Sequence, residues 1–206
     1  ISELSGKKSV LTRIKNLNLD HTLDSNDAEK ITQIIKEKES KGYAYELANS
    51  SLDLLIFRQL PNYEEKFELI DFMVIVENKR RSSLGSGWRN DGSEHPILSE
   101  ATIKIKTKDE IFHTAAEGNG PVGALDNATR KALIGTFPEI NKIRLTDYIV
   151  RVVEEGTGTG AVVRVIIESS DDKEVWTTVG ASSNIIEATW IALADSIEWF
   201  LIKNSK

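Results

Sequence analysis

The hydrophobic positions of this chain change their spacing near Pro61. Before it, apolar residues recur three or four positions apart, which is the spacing of an amphipathic helix. The spacing predicts three short helices in the first sixty residues. The first contains Val10, and the third covers residues 45–57. The second starts at a capping-box-like pair, Asn26 and Glu29. These helices carry too little apolar area for an independent core, so the region is interpreted as a connector.

After Pro61 the pattern becomes that of strands. Ile103 and Ile105 alternate with two lysines, as in a half-buried strand. Three strands and a helix are predicted, and the same order then recurs. The predicted strands are 67–77, 101–106, 110–116, 145–154, 161–168 and 174–179, with helices that follow Pro121 and start at Asn184.

The recurrence is an internal repeat that can be aligned by subtraction. Asp71 lies over Asp147 at an offset of 76. Ile103 lies over Val163 at an offset of 60, and Gly120 lies over Asn184 at an offset of 64. The offsets differ because the loop Ser82–Pro96 is long and its counterpart Gly156–Gly160 is short. The alternative is chance similarity between two β-rich stretches.

The fold class predicted from these patterns is α+β. A helical connector (residues 1–62) precedes a domain of two β-β-β-α units related by duplication (residues 63–206). The first strand of each unit is apolar on both faces, with Phe72 and Val74 on one face and Met73 and Ile75 on the other. A one-sided antiparallel sheet would alternate more cleanly. Either the sister unit or a second chain covers the surplus face, and the prediction is a homodimer.

Composition excludes several classes of function. The 26 Lys and Arg against 32 Asp and Glu give a net charge of −6, which disfavours general nucleic-acid binding. The chain has no Cys and its three His are far apart, so neither a disulfide framework nor a metal-binding motif is predicted. No apolar run is long enough for a membrane span, no secretion leader is visible, and the cytoplasm is the expected location. The chain starts at Ile1 and its single Met is Met73, so we expect a piece of a longer protein.

One candidate binding element is the segment Glu117–Pro121, between a predicted strand and a predicted helix. Gly118 and Gly120 allow close approach of a ligand to the backbone. Pro121 suits the first position of a helix, whose free N–H groups and dipole favour a carboxylate or a phosphate. An ordinary tight turn is the alternative. The segment lacks the lysine of a phosphate-binding loop, so nucleotide binding is disfavoured.

The matching segment in the second unit, Gly180–Asn184, offers a second candidate. Asn184 followed by Glu187 predicts a helix cap, which leaves room for a ligand at the same loop. Asp147 near the start of the fourth strand can pair with an ammonium group, and simple solvation is the alternative.

Several strings together resemble one family, that of 2-isopropylmalate synthase and (R)-citramalate synthase, over almost the whole chain. Two strings are specific: the one around Glu117–Val122, and the pair Ile167–Asp171 and Asn184–Ala188, which favours the citramalate branch. The strings are Glu3–Gly6, Thr114–Val122, Leu145–Tyr148, Ile167–Asp171, Trp176–Gly180 and Asn184–Ala188.

The resemblance implies the connector and regulatory region of such an enzyme. In this family a barrel absent from this chain condenses acetyl-CoA with a 2-oxo acid, using a divalent metal. The chain itself is therefore expected to be non-catalytic and to hold no cofactor. The family's regulatory domain forms dimers and binds the end-product amino acid, isoleucine in citramalate synthase and leucine in 2-isopropylmalate synthase.

The effector site that the resemblance implies combines helix N–H groups for the carboxylate, an acid for the ammonium and an aliphatic pocket. Its residues are Gly118, Gly120, Pro121, Leu145, Asp147, Tyr148, Val152, Ala181 and Ser182. Isoleucine is the expected effector. The alternatives are a leucine-binding region of 2-isopropylmalate synthase and a dimerisation module whose effector site has degenerated.

Overall fold

The structure is a computed structural model, and it describes residues 6–19, 22–77, 98–108, 110–153 and 161–204. The loop Ser82–Pro96 and its counterpart Gly156–Gly160 lie outside the described residues. The chain forms two compact units. The larger unit is Ile1–Lys66 with Glu139–Lys206, and the smaller unit is Phe67–Pro138. The functional division after residue 62 stays a prediction.

The described ranges contain five α-helices and six strands, which follow one another in the predicted order. No helix in the described ranges is long and apolar enough to cross a membrane. Short 3-10 helices cover Tyr45–Leu47 and Pro138–Lys142. The helices are α1 (Lys7–Asn16), α2 (Ser25–Ser40), α3 (Asn49–Phe57), α4 (Pro121–Leu133) and α5 (Ile185–Asn204). The strands are β1 (Glu68–Glu77), β2 (Leu98–Lys106), β3 (Ile111–Gly118), β4 (Arg144–Val152), β5 (Val163–Ser170) and β6 (Val175–Ser182).

The smaller unit is one β-β-β-α unit. Strands β1, β2 and β3 form an antiparallel sheet in that order, and α4 packs on one of its faces. Ile103 and Ile105 of β2 and Leu125 of α4 are fully buried. Thr114 of β3 donates a hydrogen bond to the Ala128 carbonyl of α4 at 2.8 Å, which identifies the face of the sheet that α4 covers.

The larger compact unit contains the second β-β-β-α repeat. Its strand order is β4-β5-β6 and its helix is α5. Thr178 donates to the Ala192 carbonyl at 2.7 Å, which repeats the bond of Thr114 at an offset of 64. Both sheets also carry an irregularity at the same place in the first strand, between Leu69 and Asp71 and between Leu145 and Asp147. The predicted duplication is confirmed.

The alignment of the second strands over one another was predicted incorrectly. Ile103 pairs with Thr114 and Ile167 pairs with Thr178, so Ile103 corresponds to Ile167 at an offset of 64, not to Val163 at an offset of 60. Apolar residues alternate along a strand, and a slip of four positions preserves that alternation. Beyond the first strand, one offset of 64 therefore relates the two units.

The helical region shares its core with the second sheet. Buried residues of α1, α2 and α3 form one cluster with Ile166 of β5 and Val179 of β6. The hydroxyl of Ser51 in α3 accepts a hydrogen bond from the Val179 N–H at 3.0 Å, on an edge strand. Since α3 also packs against α5, α5 is buried along most of its length. The poor independent core predicted for the helices agrees with this shared packing.

Two local predictions for the helical region are wrong. Helix α2 is capped by Asp24, whose carboxylate accepts from the N–H groups of Asn26 and Asp27, so the capping box lies two residues before the predicted pair. An Asp two positions earlier makes the same bonds as the predicted Asn. The third predicted helix is interrupted at Ala48, which separates a 3-10 turn from α3.

Candidate functional site

The first turn of α4 has no side-chain cap. Gly120 occupies the N-cap position in an extended conformation, and Pro121 is the first helical residue. Proline brings no N–H, and the N–H groups of Val122 and Gly123 precede the first intrahelical bond, that of Ala124 to the Gly120 carbonyl. With the positive end of the helix dipole, these free donors suit an anion.

Gly118 lies directly under this turn. A Cβ at position 118 would collide with the backbone nitrogen of Ala124, so only glycine allows the helix to approach β3 so closely. The Asn127 side chain donates to the Glu117 carbonyl at 2.9 Å and ties the strand end to α4. The structure therefore brings Gly118, Gly120 and Pro121 together at one helix start, as predicted.

The matching turn of α5 is satisfied by its own side chains. Asn184 accepts from the N–H of Ile186 at 2.9 Å, which confirms the predicted cap. Ser182 accepts from the Asn184 N–H at 3.0 Å and donates to Glu187. Glu187 thus bonds the Ser182 hydroxyl in place of the Asn184 N–H that a capping box would use. The predicted site residue Ser182 has its hydroxyl committed to this cap.

The three capping residues of α5 all have glycine as their counterpart in α4. Subtracting the offset of 64 from Ser182, Asn184 and Glu187 gives positions 118, 120 and 123, which are all Gly. The first helical turn therefore has its N–H groups bonded by side chains in the second β-β-β-α unit, whereas the matching turn of α4 keeps N–H groups without a side-chain partner. Of the two candidate loops, the one before α4 is the one whose donors remain available.

Strand β4 positions four predicted residues, and it places them on both faces of its sheet. Leu145, Tyr148 and Val152 pair with β5 residues on the face that α5 covers, whereas Asp147 pairs with Glu168 on the opposite face. Leu145 and Val152 are seven residues apart along the strand, roughly 20 Å at the usual rise. The structure does not bring these two residues together within one chain.

Tyr148 and Asp147 differ sharply in their surroundings. The Tyr148 hydroxyl is 2.6 Å from the Thr189 hydroxyl of α5. Burial raises the pKa of Tyr148, and the bond to Thr189 opposes that rise only in part. Asp147 is exposed and accepts a hydrogen bond from the Tyr148 N–H at 2.8 Å. Its carboxylate can receive an ammonium group from solvent, as the prediction requires.

Ala181 lies on the face of the sheet opposite Ser182. It is buried in the cluster that the helical region forms with β5 and β6. A Cβ at Gly42, which has a positive φ of 100°, would lie 3.5 Å from the Ala181 Cβ. Arg164, directly opposite Ala181 in the sheet, donates to the Gly42 carbonyl. Ala181 thus contacts the turn after α2 and is separated from Ser182 by the sheet.

Three of the nine predicted residues belong to the smaller unit, and six belong to the larger one. The assembly of all nine into one effector site stays a prediction. Among the described residues, no group of three or more His, Cys, Asp or Glu side chains is placed to hold a metal ion.

Ser99 is a residue of this region that the sequence did not single out. It is fully buried, and its hydroxyl has no hydrogen-bond partner among the described residues. It stands directly opposite Gly118 in the sheet. The predicted strand started at Ala101, but the buried alternation Ile105, Ile103, Ala101 continues to Ser99. Extending the period by one step would have placed this hydroxyl on the buried face.

The sequence also gave no sign of a buried charge cluster in the larger unit. Arg58 donates to Asp195 at 2.9 Å and to Glu198 at 2.6 Å, both on α5. Ser51 donates to Asp195 at 2.8 Å, and Tyr63 donates to Glu198. Burial raises the pKa of Asp195 despite Arg58 and Ser51. Burial lowers the pKa of Arg58, but the two carboxylates outweigh that effect and leave it raised.

Strand β1 of the smaller sheet carries exposed apolar side chains on the face opposite α4. Met73 and Ile75 project from the side of β1 opposite α4, and their side chains are 54% and 42% exposed. Ile111 on the same face is 61% exposed. The second apolar side predicted for β1 is therefore exposed at Met73 and Ile75.

Comparisons with known proteins agree with this architecture. A family profile described as the LeuA allosteric (dimerisation) domain matches residues 46–201. The (R)-citramalate synthase of Geobacter sulfurreducens is 42% identical over 208 residues, which cover 100% of this chain and 37% of that protein. Those of Aquifex aeolicus and Streptomyces coelicolor are 39% and 36% identical, over 100% and 98% of this chain and 37% and 36% of those proteins. The chain thus spans little more than a third of the length of the curated relatives it matches.

Proposed function

The chain belongs to the LeuA allosteric (dimerisation) domain family, and from that premise we propose that it is the regulatory region of an (R)-citramalate synthase and binds isoleucine as a feedback inhibitor. The family membership supports an allosteric role, and the names of the relatives support the citramalate branch.

The single observation that carries the effector site is the uncapped first turn of α4. Free N–H groups at Val122 and Gly123 can receive the carboxylate of an amino acid. The sister turn of α5, with Asn184 as its cap, lacks this capacity. The exposed carboxylate of Asp147 can receive the ammonium group. Because Leu145 and Val152 lie at opposite ends of β4, one aliphatic side chain would reach at most one of them on a given strand.

Calorimetry on the purified chain tests the proposal. Isoleucine should release or absorb measurable heat on binding and should bind more tightly than leucine. Asp147→Ala should weaken isoleucine binding roughly tenfold or more, since it removes a charge-assisted bond. Asp71→Ala is the matched control, because Asp71 is the exposed counterpart of Asp147 in the smaller unit and should leave affinity unchanged. Absence of heat with both amino acids would overturn the proposal.

The whole protein's reaction is part of the proposal. We infer that a catalytic barrel elsewhere on the same polypeptide condenses acetyl-CoA with pyruvate, and that the divalent metal of that reaction belongs to the barrel. In that enzyme, isoleucine binding shifts the barrel's activity through the connector helices. The coupling between such sites is typically about 1–3 kcal/mol. Inhibition of the full-length enzyme by isoleucine, relieved by Asp147→Ala, is the expected result.

Leucine as effector is the second candidate, favoured by the family's name and by the shared carboxylate and ammonium chemistry. Leucine and isoleucine have the same number of carbon atoms, and burial is worth roughly 0.8 kcal/mol per CH₂ for either. Only the shape of the aliphatic pocket separates them. Titration of the chain with both amino acids at matched concentrations distinguishes the two branches by the order of the affinities.

We also propose that the chain forms a homodimer through the exposed apolar side chains of β1, Met73 and Ile75. The family's dimerisation domain supports association, and an exposed apolar patch of this kind is typical of an interface. A dimer that binds neither amino acid would favour the alternative of a dimerisation module with a degenerate effector site.

A further inference from the structure

The sheet beneath the first turn of α4 contains a polar group with no partner. Ser99 is fully buried, yet its hydroxyl makes no hydrogen bond to any residue that the structure describes. A buried hydroxyl without a partner costs roughly 1–3 kcal/mol, so native structures retain few of them. On the buried face of the sheet, the pair of Ser99 and Gly118 follows the apolar pair of Ala101 and Ala116. It lies at the end of β3 that leads into α4.

The register of the sheet directs this hydroxyl toward the helix start. Ser99 pairs with Gly118, and paired residues of an antiparallel sheet project from the same face. That face is the one α4 covers, because Thr114 donates to Ala128 from it. Gly118 in turn lies against the backbone of Gly123 and Ala124. Ser99 therefore projects from the same face as Gly118, beside the turn at which α4 begins.

The sister unit has a different arrangement at the matching positions. The counterparts of Ser99 and Gly118 at the offset of 64 are Val163 and Ser182. There the hydroxyl is on the third strand and bonds the cap residue Asn184 and Glu187, and the second strand carries an apolar residue. In the smaller unit the hydroxyl belongs to Ser99 on the second strand, and the residues that match the capping residues of α5 are glycines. Two independent features, the open N–H groups and the unpaired hydroxyl, point to one missing acceptor.

We propose that Ser99 is a ligand-binding residue that donates its hydroxyl hydrogen bond to the carboxylate of the bound aliphatic amino acid, beside the N–H groups of Val122 and Gly123. This assignment rests on the proposed effector function and names a contact that the resemblance does not supply. A carboxylate has two oxygens and about four acceptor sites, so it can receive the hydroxyl and both N–H groups together. Binding would then satisfy a group that the free protein leaves unpaired.

Replacement of Ser99 should therefore affect isoleucine affinity and the stability of the free protein in different directions. Ser99→Ala removes an unpaired group from the free protein, so its melting temperature should stay the same or rise. The same change removes a bond to a charged acceptor in the complex, so isoleucine affinity should fall roughly 10- to 100-fold. Thr129→Val is the matched control. The Thr129 hydroxyl is also buried in the smaller unit, but it donates to the Leu125 carbonyl of its own helix, and its loss should leave affinity unchanged.

Calorimetry and thermal unfolding of the 206-residue chain, with isoleucine and with isoleucinamide as probes, decide the matter. Isoleucinamide keeps the ammonium group and the side chain but lacks the carboxylate. Ser99→Ala should therefore weaken isoleucine much more than isoleucinamide. If the wild type binds isoleucine and Ser99→Ala binds it with the same affinity, the role of Ser99 is overturned and the proposed effector function remains. A lowered melting temperature with unchanged affinity shows that the hydroxyl serves the free fold and also overturns it. Absence of wild-type binding to isoleucine and leucine overturns both proposals.

Discussion

Arg58 donates a hydrogen bond from Nη2 to the carboxylate of Asp195 at 2.9 Å and joins the end of the helical region to α5. The same nitrogen also donates to Glu198, so α5 buries two carboxylates against one guanidinium. Ser51 and Tyr63 supply the further donors. The helical region therefore provides both apolar area to β6 and the positive charge that α5 requires.

Replacement of Arg58 should destabilise the larger unit substantially. Arg58→Met leaves Asp195 and Glu198 buried without a cation, and breaking a buried ion pair from one side costs about 3–5 kcal/mol. The Arg58 side chain is 38% exposed, so solvent screens part of that loss and we expect about 2–3 kcal/mol. The measurement is the free energy of unfolding in urea.

Lys7→Met provides the control for Arg58→Met. Lys7 pairs with Glu29 at 2.9 Å, but both side chains are exposed, and such pairs contribute less than about 1 kcal/mol. Equal losses of unfolding free energy in the two variants would show that the buried pairs of Arg58 stabilise the fold no more than an exposed ion pair does.

The buried Asp195 predicts a specific pH dependence of stability. Burial raises its pKa above the ordinary value of 3.8, so the folded state holds the proton more tightly than the unfolded state does. The stability that this group contributes is complete below that ordinary value and is lost as pH rises through the raised pKa. Asp195→Asn cannot titrate, so the stability of the wild type relative to this variant should fall as pH rises from 3.8 towards neutrality. A constant difference across that range in chemical unfolding would contradict the prediction.

The sequence predicted the order of elements because period-two alternation and helical spacing are local properties. It predicted the duplication through Asp71 and Asp147, which both follow the strand irregularity. It misplaced the second strands by four residues because hydrophobic alternation is the same at every second position. Register is decided by pairing with the neighbouring strands, and a single chain segment does not contain that information.

The candidate site was only partly accessible from the sequence for the same reason. Gly118, Gly120 and Pro121 are close in the chain, and a helix start brings them together. Ser99 is nearly twenty residues away, and its importance depends on strand pairing and on the absence of a hydrogen bond. The sharing of Ser51 between Val179 and Asp195 likewise depends on tertiary packing.

Gly120→Asn should close the proposed carboxylate site from within. No atom of the described residues lies within 4 Å of a Cβ at this position, and the extended backbone accepts an Asn. The new side chain would cap α4 as Asn184 caps α5 and compete with the carboxylate for the same N–H groups. We expect the free chain to gain a few tenths of a kcal/mol and isoleucine affinity to fall roughly tenfold or more.

Gly135→Ala is a suitable control for Gly120→Asn. Gly135 also has no atom within 4 Å of a Cβ position, but it lies beyond the other end of α4. It should leave isoleucine affinity unchanged in the same calorimetric titration. Undiminished binding by Gly120→Asn would exclude the first turn of α4 from the effector site.

The dimer proposal predicts that one charge on the exposed face of the smaller sheet is enough to weaken association. Met73→Lys places an ammonium group beside Ile75 on β1, where it would be desolvated in an interface through this strand. The wild type should have twice the monomer mass in light scattering. The dissociation constant of the dimer should be at least roughly tenfold higher for the variant than for the wild type. Leu47→Lys changes a side chain of comparable exposure (44%) outside the sheets and should leave the dimer intact. A monomeric wild type would overturn the dimer proposal. A Met73→Lys dimer as tight as the wild type would place the interface elsewhere and leave the exposed side of β1 without this role.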